Sequence, residues 1–355
     1  MTSALLELTD VARTFDVSPP WLDRMLERKP RALLKAVDGV TLSIARGETL
    51  GLVGESGCGK STVARLIVGL HAPSRGTITF DGVALTGAGT GDGAAKRAAR
   101  RGMQMIFQDP YASLNPRWRV ADIVAEPIRA TAPQTPAARI DARVAELLAQ
   151  VGLGAADSAK YPHQFSGGQR QRISIARALS TQPRFLVCDE PTSALDVSVQ
   201  AQVLNLMREL QHRLGLTYLF ISHNLAVVHH IADRVGVMYL GRIVELAPTR
   251  QLFAAPRHPY TRMLLAAVPD LAMTGKARTA VAGEVPNPLD PPPGCAFHPR
   301  CPYADDRCRR EVPALLGVDG GGVVACHAVA EDRLPPPTGV VQPVVTSASR
   351  GPVQL

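Results

Sequence analysis

Two short segments of the chain contain the residue types that bind phosphate. The first, residues 54–61 (GESGCGKS), matches the pattern G-x-x-x-x-G-K-[ST]. Its glycines let the backbone wrap around phosphates, the Lys60 amine can reach the β- and γ-phosphates, and the Ser61 hydroxyl can bind Mg²⁺. The run from Thr49 to Val53 predicts a strand before this loop, and Thr62 to Leu70 predicts a helix after it. A phosphate loop requires this context.

The second segment, Phe165 to Gln169 (FSGGQ), precedes a stretch with helical spacing from Ile173 to Leu179. Unpaired backbone N–H groups and the helix dipole favour an anion at the start of a helix. Because residues 54–61 already form a phosphate loop, a second anion-binding helix start is best explained if it covers a nucleotide held mainly by another chain. The plain alternative is an ordinary Ser-Gly-Gly turn before a helix.

Two carboxylates and an imidazole follow apolar runs of strand length. The run 184–188 ends in Asp189 and Glu190, and the run that begins at Tyr218 ends at His223. Such runs are typical of buried parallel strands, whose carboxyl ends lie at one edge of the sheet. There, Asp189 can hold Mg²⁺ through water, Glu190 can polarise an attacking water and His223 can sense the γ-phosphate. The alternative interpretation is structural. Without the phosphate loop, the two acids would be read as solvated residues at a strand end, and the histidine would be read as a surface or capping residue.

The remaining patterns predict the elements that position these residues. Leu5 to Phe15 and Ala36 to Ile44 predict early strands, and Thr77 to Leu85 predicts a tight hairpin. Together they suit an antiparallel β layer beside the phosphate-loop core. Val120 to Val151 has helical spacing, interrupted by a proline- and alanine-rich piece at Thr131 to Pro136.

Length and composition limit the class of protein. A chain of 355 residues can bury a sizeable core and is expected to form two domains. It has neither the ~18 to 20 uninterrupted apolar residues of a membrane span nor the basic flank of a signal peptide, so we expect a cytosolic protein. The net charge of +8 comes from scattered Lys and Arg without a nucleic-acid-binding motif. It predicts attraction to nucleotide and to an anionic membrane face, with no nucleic-acid partner.

In content and order, these motifs resemble the ATP-binding subunit of an ABC transporter. The resemblance implies an α/β fold with a P-loop NTPase core of the ABC type, an antiparallel β layer and a helical subdomain at about residues 110–180. It also implies ATP and Mg²⁺ as cofactors. The residues that it assigns to the phosphates are Gly54, Ser56, Gly57, Cys58, Gly59, Lys60, Ser61 and Thr62.

Further roles follow from the same resemblance. Phe15 would stack on adenine in place of the usual tyrosine, and a core position for this residue is the alternative. The expected catalytic residues are Glu190, His223 and Gln108. The expected Mg²⁺ ligands are Ser61, Gln108 and Asp189. The residues expected to cover the γ-phosphate of a partner subunit are Ser166, Gly167, Gly168 and Gln169.

The C-terminal quarter of the chain indicates which subfamily of ABC transporters the chain resembles. His258 to Thr261 (HPYT) resembles the opening of the C-terminal extension of oligopeptide and dipeptide importers, and the loop Asp109 to Pro116 resembles the loop on which their membrane subunits dock. Pro286 to Pro293 predicts a stiff linker. The predicted organisation is an ABC domain at 1–265, an extension at 266–335 and a disordered tail at 336–355.

Four cysteines are clustered in the predicted extension: Cys295, Cys301, Cys308 and Cys326. In a cytosolic protein such a cluster favours metal over disulfides. The spacing lacks the C-x-x-C of most zinc sites, whereas four thiolates suit a 4Fe-4S cluster. In the importers that the chain resembles, the matching cysteines bind such a cluster. We therefore expect iron–sulfur first, zinc second and unmetallated thiols third, with His298 and His327 as substitute ligands.

The resemblance implies an ATPase that powers peptide import from the cytoplasmic face of the membrane, as the second of two ATPase subunits. Its expected partners are a related ATP-binding subunit, two membrane-spanning permease subunits and an extracytoplasmic solute-binding protein. Nickel, glutathione or another small solute is the alternative cargo. A soluble ABC ATPase acting on nucleic acid or ribosomes is disfavoured, since the chain has neither long coiled coils nor tandem units. An exporter half is disfavoured because no membrane span is fused to the chain.

Overall fold

The computed structural model describes residues 4–20, 24–25, 30–87, 93–267 and 283–335. The predicted tail at 336–355 lies outside this range. The strands are β1 (Ala4–Asp16), β2 (Leu33–Ala45), β3 (Thr49–Val53), β4 (Arg75–Phe80), β5 (Val83–Ala84), β6 (Met103–Ile106), β7 (Phe185–Asp189), β8 (Thr217–Ile221), β9 (Arg234–Tyr239), β10 (Arg242–Pro248), β11 (Leu316–Val318) and β12 (Gly322–Val324).

The helices vary from one turn to five turns in length. They are α1 (Lys60–Ile67), α2 (Gly93–Arg101), α3 (Pro110–Ser113), α4 (Val120–Thr131), α5 (Ala137–Gln150), α6 (Gly167–Leu179), α7 (Val197–Leu214), α8 (Leu225–Ile231), α9 (Thr249–Ala254), α10 (Pro259–Ala266), α11 (Asp306–Arg310) and α12 (His327–Ala330). No helix in the described ranges is long and apolar enough to span a bilayer.

The strands form two sheets. The smaller sheet is antiparallel, as the sequence predicts, and its strand order is β2-β1-β4-β5. The larger has the order β11-β12-β10-β9-β3-β8-β7-β6, and its strands from β9 to β6 are parallel. Every residue of β3, β7 and β8 is buried, as expected for apolar runs without alternation. The carboxyl ends of these three strands therefore share one edge of the sheet.

The alternating side chains of β7 divide the core between the two faces of the larger sheet. Leu186 and Cys188 pack with the helical subdomain of α4, α5 and α6. Phe185 and Val187 point the other way, into a core shared with Phe80 of the antiparallel sheet. The larger sheet is thus the middle layer between a helical layer and an antiparallel β layer.

The C-terminal segment, residues 283–335, joins the larger sheet through its own hairpin. Strands β11 and β12 pair antiparallel, and β12 pairs antiparallel with β10 at Glu245 opposite Val324 and Leu246 opposite Val323. The hairpin therefore lies beside β10 as a continuation of the sheet that carries the phosphate loop.

Two local elements differ from the sequence predictions. Helix α1 ends at Ile67 because Gly69 adopts a left-handed φ of 79°, so the predicted end at Leu70 is three residues too late. The loop at 109–116 contains the one-turn helix α3, because the Asp109 carboxylate accepts the Tyr111 N–H and Pro110 has the φ that a first helical turn needs. The predicted interruption at Thr131 to Pro136 is confirmed as the break between α4 and α5.

Candidate active site

Residues 54–59 form the loop between β3 and α1, as the G-x-x-x-x-G-K-[ST] pattern predicts. Gly59 has a left-handed φ of 107°, and a Cβ there would lie 2.2 Å from the carbonyl oxygen of Ala36. A Cβ on Gly54 would lie 2.2 Å from the carbonyl oxygen of Met238. Neither position accepts a side chain, so the tight curve of the loop depends on both glycines.

The amine of Lys60 lies inside this curve. It donates to the carbonyl oxygens of Gly54 at 2.8 Å and Glu55 at 2.9 Å and lies 3.6 Å from Cys58 Sγ. Lys60 is buried. The positive charge is thus centred among the backbone groups that the loop turns inward, where an anionic phosphate would be attracted.

Two predicted Mg²⁺ ligands lie together behind the loop. Ser61, in the first turn of α1, donates from Oγ to Asp189 Oδ1 at 3.0 Å. Asp189 ends β7, is 4% exposed, and has its pKa raised mainly by burial. A carboxylate desolvated in this way gains from a nearby cation, so the pair has the oxygen donors and the charge that Mg²⁺ prefers.

The three predicted catalytic residues converge on one carboxylate oxygen. Glu190 Oε2 accepts a hydrogen bond from Gln108 Nε2 at 2.9 Å and lies 3.2 Å from His223 Nδ1. Glu190 has a left-handed φ of 48°, and its N–H donates to the carbonyl of Ile221 in β8. This conformation is uncommon for a residue with a side chain and turns the chain sharply at the end of β7.

These elements surround a cleft of about 880 Å³. The predicted site residues that line it are Phe15, Ser56, Gly57, Gly59, Lys60, Ser61, Thr62, Gln108, Glu190 and His223. Of the described residues predicted to bind at this site, Gly54, Cys58 and Asp189 lie behind its surface, where burial raises the pKa of Cys58. Phe15 is half-buried; its ring lies edge-on to His71 at 5.4 Å and beneath the guanidinium of Arg13 at 4.6 Å.

Residues 166–169 are not among the described residues that line this cleft. Ser166 caps α6: its Oγ accepts the N–H of Gln169 at 3.3 Å, while Gln169 Oε1 accepts the N–H of Ser166 at 3.0 Å. Ser166 and Gln169 are exposed and Gly167 is partly exposed. The start of α6 therefore lies on the surface of the chain and outside the cleft beside its own phosphate loop.

Gly168 has a packing role that sequence reasoning missed. It is buried, and a Cβ on it would lie 2.4 Å from Val199 Cγ1 of α7. The lack of a side chain therefore allows the two helices to approach closely. The Ser-Gly-Gly pattern by itself signals a turn and contains no information about the partner helix.

Contacts between the C-terminal segment and the phosphate loop were also missed. Arg300 pairs with Glu55 through both carboxylate oxygens, at 2.7 and 3.0 Å, and the N–H of Glu55 donates to Tyr260 Oη at 2.9 Å. Tyr260 belongs to the HPYT motif, which was the only sequence signal near this contact. Nothing local in the sequence connects Arg300 with Glu55.

The four clustered cysteines are unpaired, with Cys308 and Cys326 buried and the other two partly exposed. Burial raises the pKa of Cys295 to about 12 and of Cys301 to about 11, and neighbouring cysteines add to both shifts. Within the described residues, no group of three or more His, Cys, Asp or Glu side chains is placed to hold a metal ion. The predicted iron–sulfur or zinc site is therefore not confirmed.

The two predicted substitute ligands contact backbone groups. His298 Nδ1 lies 3.1 Å from the carbonyl oxygen of Cys295, and His327 Nε2 lies 3.0 Å from the carbonyl oxygen of Glu311. Each histidine thus uses one ring nitrogen for a backbone hydrogen bond, and its other ring nitrogen could bind another partner.

A phosphate loop between a buried strand and a helix, with a glutamate directly after β7 of the same parallel sheet, defines a P-loop ATPase of the ABC type. Two family models match the chain: "ABC transporter" over residues 37–193 and "Oligopeptide/dipeptide transporter, C-terminal region" over residues 244–308. The chain belongs to the family of ATP-binding proteins of oligopeptide/dipeptide ABC transporters.

Curated relatives extend the similarity over most of the chain. The oligopeptide transport ATP-binding protein AppF of Bacillus subtilis is 48% identical over 91% of this chain and 97% of its own. The di/tripeptide transport ATP-binding protein DppF of Pseudomonas aeruginosa gives the same three values. The oligopeptide transport ATP-binding protein OppF of Escherichia coli is 48% identical over 88% of this chain and 93% of its own.

Solved structures show the same fold in the ATPase core. CbiO1 from Clostridium perfringens, part of an ABC transporter complex, has a TM-score of 0.57 and 27% identity over 70% of this chain and 90% of its own. A dimeric ATP-binding cassette in a post-hydrolysis state with ADP and phosphate has a TM-score of 0.58 and 26% identity, over 69% of this chain and 99% of its own.

Proposed function

We propose that this protein hydrolyses ATP in the cleft beside residues 54–61 and thereby powers the import of peptides through a membrane ABC transporter. The observation that carries the proposal is the convergence of Gln108 and His223 on Glu190 beside the phosphate loop. The family membership and the peptide-transport names of the relatives supply the coupling to import.

The phosphate loop would bind ATP through its backbone N–H groups and Lys60. Ser61 and Asp189, with the carbonyl oxygen of Gln108, would hold Mg²⁺, which supplies positive charge opposite the phosphates. The hydrogen bond from Gln108 Nε2 to Glu190 leaves Gln108 Oε1 for this task. Phe15, on the wall of the cleft, would stack on the adenine.

Glu190 would be the general base. Gln108 and His223 both contact its Oε2, so they orient the carboxylate and leave Oε1 to accept a proton from the attacking water. The left-handed backbone at Glu190 fixes where the side chain leaves β7. The residues thus position a base at the edge of the cleft before any nucleotide enters.

The exposed start of α6 would act on the nucleotide of a second ATP-binding subunit. The Oγ of Ser166 accepts a hydrogen bond from Gln169, so its own hydrogen can be donated to a phosphate. Gly167 and Gly168 would add backbone N–H groups at the positive end of the helix dipole. Gln169, whose N–H and Oε1 are engaged with Ser166, would contribute its side-chain Nε2 donors. Closure of two subunits around ATP would then shift the permease between inward- and outward-facing states.

The proposed assembly has this chain at the cytoplasmic face of the membrane. Its partners would be a related ATP-binding subunit, two permease subunits and an extracytoplasmic solute-binding protein. The loop at 109–116, where Tyr111 is 64% exposed, is the proposed docking surface for the permease. Nickel, glutathione or another small solute remains the alternative cargo. Purifying the assembly and asking which ligand, on its binding protein, raises ATP hydrolysis tests the choice.

Glu190→Gln tests the catalytic assignment. The amide keeps the shape of the side chain but cannot take a proton, so we expect hydrolysis to fall roughly 10²- to 10⁴-fold while ATP binding persists and the closed pair accumulates. Glu209→Gln on α7 is a matched control, because Glu209 is exposed and pairs with Arg213 one turn further along the same helix. A Glu190→Gln assembly that hydrolyses ATP at the normal rate contradicts the role of Glu190.

We further propose that Cys295, Cys301, Cys308 and Cys326 hold a 4Fe-4S cluster, with zinc as the alternative. The support is the donor set, four thiols that lie near enough for three of them to raise the pKa of Cys295. The cluster would cross-link and stabilise residues 283–335, which contain little secondary structure. Anaerobic purification followed by iron, sulfide and zinc analysis tests this: zinc without sulfide, or neither metal, excludes the cluster.

A further inference from the structure

We propose that Arg300, in the C-terminal segment, is a positioning residue for ATP binding, because it neutralises and orients Glu55 inside the phosphate loop. The inference rests on the proposed ATP site at residues 54–61. It gives the C-terminal segment a part in nucleotide binding through the contact of Arg300 with Glu55.

The Arg300–Glu55 pair has the geometry of a specific contact. The two guanidinium nitrogens Nη1 and Nη2 reach the two carboxylate oxygens at 2.7 and 3.0 Å, the parallel arrangement that arginine forms best. The Arg300 side chain is 2% exposed and that of Glu55 is 23% exposed. Water therefore screens this pair far less than it screens a surface ion pair.

Glu55 is also held through its backbone. The Glu55 N–H donates a hydrogen bond to Tyr260 Oη. Arg300, which holds the Glu55 carboxylate, is itself positioned by Tyr239 at the end of β9, whose hydroxyl lies 3.4 Å from Arg300 Nη1. Main chain and side chain of Glu55 are thus fixed from two directions. A Cβ on Gly57, two residues further along the loop, would meet nothing within 4 Å. The phosphate loop is consequently anchored at Glu55 and open at Gly57.

Charge explains why the anchor matters for ATP. Glu55 places a carboxylate in a loop whose task is to bind several negative charges, and an unpaired carboxylate would repel them. The Arg300 guanidinium cancels that charge and holds the carboxylate turned towards the C-terminal segment. Loss of Arg300 is therefore expected to weaken the binding of ATP more than it slows the chemical step.

The C-terminal segment also forms part of the wall of the cleft. Its residues at 288, 291–294, 296 and 312 line the same space as Lys60 and Glu190. Phe297, three residues before Arg300, packs with Tyr239 at 5.3 Å and Tyr260 at 5.4 Å between ring centres. This aromatic packing fixes the stretch that carries Arg300, so the position of the segment determines whether Arg300 meets Glu55.

The test compares ATP affinity and steady-state kinetics of the assembled transporter for wild type, Arg300→Ala, Glu55→Gln and the double variant. We expect Arg300→Ala to raise the Kd and KM for ATP roughly tenfold with less than about a twofold change in kcat. Glu55→Gln should bind ATP more tightly than wild type, because it removes a carboxylate from the loop and leaves the Arg300 charge uncompensated. The double variant should recover most of the lost affinity, because the repelling charge is gone.

Arg309→Ala is the matched control. Arg309 is an exposed arginine of the same segment that pairs with Asp306 within α11, and we expect no change in ATP affinity. Should Arg300→Ala fold poorly, Arg300→Lys keeps the charge but loses the two-point contact, and an intermediate KM is expected.

Four results would decide against the inference or its basis. Unchanged affinity in Arg300→Ala overturns it. A double variant as weak as Arg300→Ala also overturns it, because Arg300 would then act through the fold and not through the charge of Glu55. Wild type that fails to bind ATP, or Lys60→Ala that binds as wild type does, refutes the proposed ATP site instead.

Discussion

Two regions of the molecule are stabilised in different ways: the nucleotide edge and the C-terminal segment. The nucleotide edge consists of β3, β7, β8 and the residues that follow each of these strands. Every residue of the three strands is buried, and the reactive side chains stand where the strands end. The C-terminal segment has only short helices and a small hairpin, and it is joined to the core by a few side-chain contacts and by β12. Substitutions at the nucleotide edge should therefore reduce turnover, whereas substitutions at these contacts should reduce stability.

Phe297→Ala should have the largest effect on stability. Phe297 is 2% exposed among Tyr239, Tyr260 and His258, so its removal leaves a cavity between β9, α10 and the C-terminal segment. We expect a loss of about 3 to 5 kcal/mol in the free energy of unfolding, measured by urea denaturation.

A matched control for this prediction is Phe15→Ala, since the Phe15 ring is only half-buried at the cleft. Its cost should be clearly smaller. If Phe297→Ala released only the C-terminal segment to protease and left the main unfolding transition unchanged, the segment would be an independent attachment and the comparison would fail.

His258→Asn should change how stability depends on pH. His258 is buried, with Nδ1 accepting the Tyr260 N–H, and burial lowers the pKa of His258 to about 3. The unfolded chain binds a proton near pH 6.5 whereas the folded chain does not, so wild type loses stability as pH falls below that value. At about pH 5 this loss is about 2 kcal/mol.

Asparagine can still cap α10 but does not titrate, so the variant should lack this pH-dependent loss. The stability advantage of wild type over His258→Asn should therefore shrink by about 2 kcal/mol between about pH 7.5 and pH 5. The carboxylate of Glu245 accepts a hydrogen bond from the backbone N–H at position 258. It is present in both proteins, so its titration cancels in the difference. A constant difference across this range would mean that His258 takes up a proton in the folded chain as readily as in the unfolded chain.

Asp189→Asn should have the smallest effect on stability, with the opposite sign. Burial raises the pKa of Asp189, so its charged form destabilises the fold at neutral pH, and this cost disappears as pH falls below the unfolded pKa of about 4. Asparagine can still accept the Ser61 hydrogen bond. We expect a small rise in the free energy of unfolding at neutral pH together with a large loss of ATP hydrolysis.

Thermal unfolding and ATPase assays on the same preparation measure both quantities. A destabilised Asp189→Asn protein would show that the nucleotide edge also depends on its reactive groups for stability.

The sequence predicts the nucleotide edge well because the necessary signals are local. Apolar runs predict β3, β7 and β8, and the residues after each run carry the chemistry, so their convergence follows from parallel pairing. The contact of Arg300 with Glu55 could not be predicted in this way, because 245 residues separate the two. The requirement for glycine at position 168 could not be predicted locally either, because a side chain there would collide with Val199 on another helix.

The pairing of β12 with β10 has a consequence for self-association. Without the hairpin of β11 and β12, β10 would expose unpaired backbone N–H and C=O groups around Glu245 and Leu246. With the hairpin in place, the outer strand beside this stretch is β11, which has only three residues. Short outer strands are poor templates for pairing with another molecule. We therefore expect chains truncated before the C-terminal segment to be more prone to intermolecular strand addition at β10 than the full chain.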